Sequence, residues 1–170
     1  MNVIDAIRQK RAVRKYKDQP LPSETVEQIL YAGRRAQSSK NTQPWHFVAV
    51  QNRDTLNALA DCGDYTGPLR NAALGIAILT PDPVASYWVM FDAGQSASYM
   101  QLAALELGVG SCITTLHRPE PSREVLGYPD DLHLRMVIAF GYPEDQSALE
   151  APPKTGGRRA SDELIHYDRW

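Results

Sequence analysis

The stretch ASYWVMFDAGQSASYMQLAALELG, residues 85–108, decides how this chain folds. From Ala85 to Leu107 it carries only two charged residues, Asp92 and Glu106, and apolar side chains fall on every side of a helical projection. A helix of that kind is surrounded by protein. Gly108 supplies the left-handed residue that stops it. Asp92, Gln95, Ser96, Ser98, Gln101 and Glu106 make the stretch too polar to span a bilayer, so no membrane partner is expected. Ala93, Gly94, Ser96, Ala97 and Ser98 form a run of small residues that another backbone can approach closely. In a chain of 170 residues, burial on two sides of one helix is most easily met by a second subunit.

The neighbouring segments supply strands. LGIAILT (74–80) reads as a fully buried strand, and HFVAV (46–50), SCITT (111–115) and LRMVIAFG (134–141) as three more. Residues 3–9 fit a short helix capped by Asn2, with Val3, Ile4 and Ile7 on one side. Leu21 to Glu24 introduces a helix whose inner face is Val26, Ile29, Leu30 and Gly33. Asp54 caps a helix through Leu59, and Ser122 to Leu126 makes a helical turn. The chain turns polar and proline-rich from Pro143 to Pro153, then ends in the apolar-aromatic ELIHYDRW. One mixed, three-layered sheet results, and the order of elements leaves α/β and α+β both open. Without an internal repeat or early linker, residues 1–170 form a single domain, with 144–170 as a C-terminal arm.

Composition narrows the function. The 43% hydrophobic and 22% charged fractions are those of a globular protein, and a net charge of −2 offers no general attraction to nucleic acid. Two cysteines without ligand or disulfide spacing, and an N-terminus too charged for a signal peptide, point to the cytoplasm. The four histidines lack metal-site spacing, so no metal is expected. Neither a nucleophile elbow nor a phosphate-binding P-loop is present.

Four segments carry chemistry. Residues 6–17 hold Arg8, Lys10, Arg11, Arg14, Lys15 and Lys17 without an acid. Such a cluster either complements a helix end or binds an anion, since a phosphate needs several charge-assisted donors. Ser38-Ser39-Lys40-Asn41-Thr42-Gln43-Pro44-Trp45-His46-Phe47 sets amides and hydroxyls immediately before a strand, a composition suited to the polar edge of a planar heterocycle. Gly108-Val109-Gly110-Ser111-Cys112 follows a helix and opens a strand, the reverse of a dinucleotide-binding fingerprint. A second acid-free stretch, Ala151 to Ser161, contains Lys154, Arg158 and Arg159.

In this order the motifs resemble the nitroreductase family of FMN enzymes. The family's RRSxR-like, PSSxNxQPWxF, D-x-G, G-x-G-S-C-like and G-Y-P elements correspond here to Lys10 to Arg14, Ser38 to Phe47, Asp92 to Gly94, Gly108 to Cys112, and Gly141 to Pro143. An Arg-bearing tail, Arg158-Arg159 through His166, completes the pattern. The resemblance implies an α+β homodimer with a long buried central helix, two FMN sites at the subunit interface, and a terminal arm contacting the partner. It implies electron transfer from NADH or NADPH to a small electron-poor acceptor (nitroaromatic, quinone or enone) by a ping-pong mechanism. No side chain is required as a catalytic residue. A flavin-binding or redox-sensing protein of the same fold without turnover is the alternative.

By position, the resemblance assigns Lys10, Arg11, Ala12 and Arg14, with Arg158 or Arg159, to the phosphate or the flavin's N1–O2 edge. It assigns Ser38, Ser39, Asn41 and Gln43 to the ring or ribityl chain, and the backbone of Ile113, Thr114, Thr115 and Leu116 to the ring. Ala12 stands where the family usually has Ser, which removes one hydroxyl contact. Lys10 stands where Arg or His is common, Gln37 replaces the usual Pro, and Ser98-Tyr99 replaces a polar pair of the central helix.

Overall fold

The computed structural model describes residues 1–150 and 157–170. In chain order its main elements are α1 (Val3–Gln9), α2 (Ser23–Arg34), β1 (His46–Val50), α3 (Arg53–Ala60), β2 (Leu74–Thr80), α4 (Trp88–Glu106), β3 (Gly110–Thr115), α5 (Pro119–Leu126) and β4 (His133–Gly141). The four strands form one sheet in the order β1-β2-β4-β3. Every pairing of these strands is antiparallel, so the sheet is not the mixed one expected. Among the described residues, parallel pairing appears as the isolated bridge between Ala12 and Ser111.

Alternation along the strands sorts the core into two layers. Leu74, Ile76, Ile78, Ile138 and Phe140 pack on the α2–α4 side, whereas Ala77, Leu79, Val137 and Ala139 pack toward α3 and Leu69. Gly33 lets α2 lie against α4, for an added Cβ would stand 2.1 Å from Met100 Cε. Ser96 Oγ donates to the Gly33 carbonyl at 3.0 Å. Ala93, Ser96 and Ala97 therefore face the chain's own interior. The small-residue run is spent largely on α2 and the sheet. The open face of α4 instead carries Trp88, Phe91 and Tyr99, with Phe91 74% exposed.

Local chemistry moves several boundaries. The cap of α3 is Asn52, whose Oδ1 accepts from Thr55 N at 2.9 Å, and Asp54 sits inside the helix. The turn expected at 122–126 is a full helix because Pro119 begins it at the first position, where its missing N–H costs nothing. Gly108 ends α4 at φ 71° and Asn2 caps α1, both as read from sequence. Val3, Ile4 and Ile7 of α1 remain exposed. Leu149, in a short turn at Gln146–Leu149, is buried in the chain's own core, so the expected arm of 144–170 begins with a stretch that packs on its own subunit. From 157 to 170 every residue is exposed, including Leu164, Ile165, Tyr167 and Trp170.

Candidate flavin site

After α1 the chain becomes extended and runs along the outer edge of β3. Val13 N donates to Ser111 O at 3.0 Å, Lys17 N to Tyr142 O at 2.8 Å, and Glu144 N to Lys15 O at 3.1 Å. Val13 and Tyr16 turn inward, leaving Ala12, Arg14 and Lys15 exposed. Gly110 and Gly141 form the floor of this track. An added Cβ at Gly110 would meet Val13 Cβ at 2.8 Å, and one at Gly141 would meet Tyr16 Cβ at 2.9 Å. The tyrosine hydroxyl donates to the carbonyls of Val13 and Ala139.

The cations on this strip are not neutralised. Among the described residues, none of Lys10, Arg11 and Arg14 forms an ion pair. Lys10 Nζ donates to Arg11 O at 2.8 Å, and burial holds its pKa below the usual lysine value. Arg11 spends Nη1 on the carbonyls of Arg8 and Lys10, and its buried Nε has no partner among the described residues. Arg14 lies against the buried Cys112, whose thiol pKa is pushed up by burial against the opposing pull of Arg14 and Lys10. A buried, unsatisfied guanidinium N–H beside two uncompensated cations fits an anionic group, and a phosphate supplies the acceptors that are missing.

The second polar element projects from the opposite edge of the sheet. Ser38 is extended, a short turn spans Ser39–Asn41, and Lys40, Asn41 and Gln43 have φ of 51°, 56° and 48°. Left-handed backbone in a residue with a Cβ costs about 1–2 kcal/mol each, so hydrogen bonds must hold the loop in this shape. Gln43 N donates to Ser38 Oγ at 2.9 Å, and Ser39 N donates to Asp92 Oδ2 on α4 at 3.0 Å. The loop turns Ser39, Asn41 and Gln43 to the surface, while buried Trp45 stacks on Phe47 behind it. Amide and hydroxyl groups held in this way suit the edge of a planar ring.

β3 brings its own predicted residues to the basic strip. Ile113 and Thr115 are exposed, Thr114 and Leu116 buried. The Thr114 hydroxyl is spent on Val137 O at 2.7 Å and the Leu116 amide on Arg135 O at 2.9 Å, so neither of those groups is available to a ligand. Arg158 and Arg159 lie in the exposed tail, where neither side chain has a hydrogen-bond or ion-pair partner among the described residues. Lys154 falls outside the described residues.

The structure thus joins Lys10–Arg14 to β3 but leaves Ser38–Gln43 beside β1, at the far edge. Three strand spacings separate those edges, about 14 Å. Sequence reasoning passed over Asp92 as a site residue, although a lone acid in an apolar helix was its visible signal. No sequence pattern announces the Arg14–Cys112 contact, which depends on the strip lying against β3.

A long helix and α2 on one face of an antiparallel sheet, and two short helices on the other, define an α+β domain of three layers. With its cationic strip and polar loop, this is the nitroreductase fold. The Nitroreductase family model matches residues 7–63 and 65–142, and the chain belongs to that family. It is 30% identical over 169 residues to an Archaeoglobus fulgidus protein provisionally named NADH dehydrogenase/NAD(P)H nitroreductase, spanning 95% of this chain and 94% of that one. It is 27% identical to an NADPH-dependent oxidoreductase of Staphylococcus epidermidis, over 99% of this chain and 74% of the other. The solved FMN-dependent nitroreductase of Clostridium difficile superposes with a TM-score of 0.84 at 28% identity, covering 99% and 100% of the two chains.

Proposed function

We propose that this NAD(P)H-dependent oxidoreductase acts as a cytoplasmic homodimer that reduces small electron-poor acceptors (nitroaromatics, quinones or enones) by a ping-pong mechanism. When bound, FMN would supply the redox chemistry that links NADH or NADPH to the acceptor. The protein contributes orientation and charge. Lys10, Arg11 and Arg14 bind phosphate or the N1–O2 edge, with Arg158 or Arg159 from the tail. A guanidinium at that edge stabilises negative charge that accumulates there. Ser38, Ser39, Asn41 and Gln43 orient the ring edge, and the exposed backbone side of β3 from Ile113 to Thr115 backs the ring. Ala12 adds only its backbone.

The observation that carries this reading is the uncompensated strip Lys10–Arg14, with its buried and unpaired Arg11 Nε, fixed to β3. Homodimer formation is supported by apolar surface that the chain leaves uncovered: Val3, Ile4 and Ile7 on α1, Trp88, Phe91 and Tyr99 on α4, and the aromatic tail. It also answers the separation of the two polar elements, because a second copy can bring its Ser38–Gln43 loop to the first copy's strip. The test is anaerobic addition of NADH or NADPH to the purified yellow protein. Loss of the flavin's visible absorbance, followed by parallel double-reciprocal lines with a quinone acceptor, is expected. A flavin-loaded protein that neither nucleotide reduces would leave it as a binding or sensing protein.

A further inference from the structure

Asp92 is 3% exposed in the second turn of α4, and its Oδ2 accepts the Ser39 N–H at 3.0 Å. Sinking a carboxylate into a core without a cation is expensive. Among the described residues its polar contact is this single backbone amide at the root of the Ser38–Gln43 loop. The loop's remaining hydrogen bonds are local in sequence: Asn41 N to Ser38 O, Thr42 N to Ser39 O, Gln43 N to Ser38 Oγ, Gln43 Nε2 to Asn41 Oδ1, and Trp45 N, just beyond the loop, to Gln43 O. Among the described residues, Gln95, one helical turn on, offers the other hydrogen bond from α4 to this region, from Nε2 to Gln37 O at a long 3.5 Å. Internal bonds define a shape but do not say where the shape sits. Asp92 sets the position and tilt of three left-handed residues relative to α4.

We infer that Asp92 is a positioning residue for the flavin-facing loop: it touches no ligand but fixes Ser39, Asn41 and Gln43 where the ring edge meets them. The inference rests on the flavin reading of the site. A charge-assisted acceptor on an amide is worth about 1.5–3 kcal/mol, equivalent to roughly 10- to 150-fold in an equilibrium constant. The loop should therefore lose most of its fixed placement once that acceptor goes. Asn at this position keeps a carbonyl within reach of Ser39 N–H, whereas Ala and Leu do not.

The experiment has two readouts. On flavin-free protein, amide exchange across residues 37–43 is compared in wild type, Asp92→Asn, Asp92→Ala and Asp92→Leu. FMN affinity is then titrated by fluorescence quenching in the same proteins. Exchange roughly tenfold faster or more and FMN binding at least tenfold weaker are expected for Ala and Leu, with Asn within about threefold of wild type in both. If Ala and Leu fail to fold, Ser39→Pro deletes the donor and leaves Asp92 intact, since the extended backbone of Ser38 (φ −145°, ψ 155°) accepts a following proline. Faster exchange at Thr42 and Gln43 is expected there. Unchanged exchange in any folded variant that lacks the donor or acceptor overturns the anchor. Wild type that binds FMN, alongside variants with a loosened loop and unchanged affinity, overturns the inference alone. Wild type that takes up no FMN overturns the reading of the site, whatever the exchange data show.

Discussion

Gly110→Ala tests whether the cationic strip is held by close approach to β3. The new Cβ would lie 2.8 Å from Val13 Cβ and Cγ1 and 3.0 Å from Cγ2. Ordinary carbon contacts begin near 3.5 Å, so the strip must retreat by about half an ångström or more. Val13 Cβ is rigidly attached to the backbone, and rotation of a side chain cannot absorb the shift. The same retreat takes the Val13 N to Ser111 O bond from 3.0 Å beyond hydrogen-bond range. Overpacking costs about 1–3 kcal/mol and the lost bond about 0.5–1.5 kcal/mol, for a total of roughly 2–4 kcal/mol. In a domain of this size that lowers the melting temperature by several degrees. Because Arg11 and Arg14 travel with Val13, FMN affinity should fall as well. Thermal melts of the flavin-free protein and FMN titration measure the two effects, with Gly94→Ala as the control because its added Cβ meets nothing within 4 Å. A Gly110→Ala protein that melts within a degree of wild type and binds FMN equally would refute the reasoning.

Arg14→Ala and Arg159→Ala should each weaken FMN binding by roughly 10- to 150-fold in direct titration if each makes a charge-assisted contact; unchanged affinity in both would remove them from the site. Full-length protein should sediment as a dimer, and a chain ending at Glu150, which keeps the buried Leu149, should shift toward monomer. A full chain that is monomeric yet binds FMN would defeat the interface. Burial raises the thiol pKa of both Cys62 and Cys112. The folded state then holds its thiol protons more tightly, so the associated stability is complete below the ordinary thiol pKa of about 8.5 and is lost as pH rises through the raised values. Melting temperature should therefore fall more steeply above that pH in wild type than in the Cys62→Ser, Cys112→Ser double variant, and identical slopes would contradict it.

Much of the fold was legible because its signals are local. Hydrophobic runs located all four strands, Gly108 marked the end of α4, and Asn2 marked the start of α1. Asn52 and Asp54 compete for one cap, and sequence cannot choose between two good acceptors two residues apart; the position of the α3 backbone does. Strand direction was harder, because Leu74–Thr80 is apolar throughout and suits either a parallel or an antiparallel interior. Of the proposed site, composition picked out the cationic strip and the polar loop as candidates. It could not show that Lys40, Asn41 and Gln43 would be left-handed, or that Asp92 would reach Ser39 across fifty-three residues of chain. Those facts come from packing between elements, which no short window of sequence contains.

The placement of Lys10–Arg14 and Ser38–Gln43 on opposite edges of the sheet has a genetic consequence. If each flavin site takes its strip from one subunit and its loop from the other, a gene carrying Arg14→Ala and a gene carrying Asn41→Leu are not equivalent losses. Expressed separately, each gives a dimer with two damaged sites. Expressed together, they form mixed dimers in which one site collects both defects and the other collects neither. Two alleles that each fail alone should then restore activity to one site in every mixed pair. If the subunits assort at random, half of the dimers are mixed, and about a quarter of all sites regain a wild-type set of side chains.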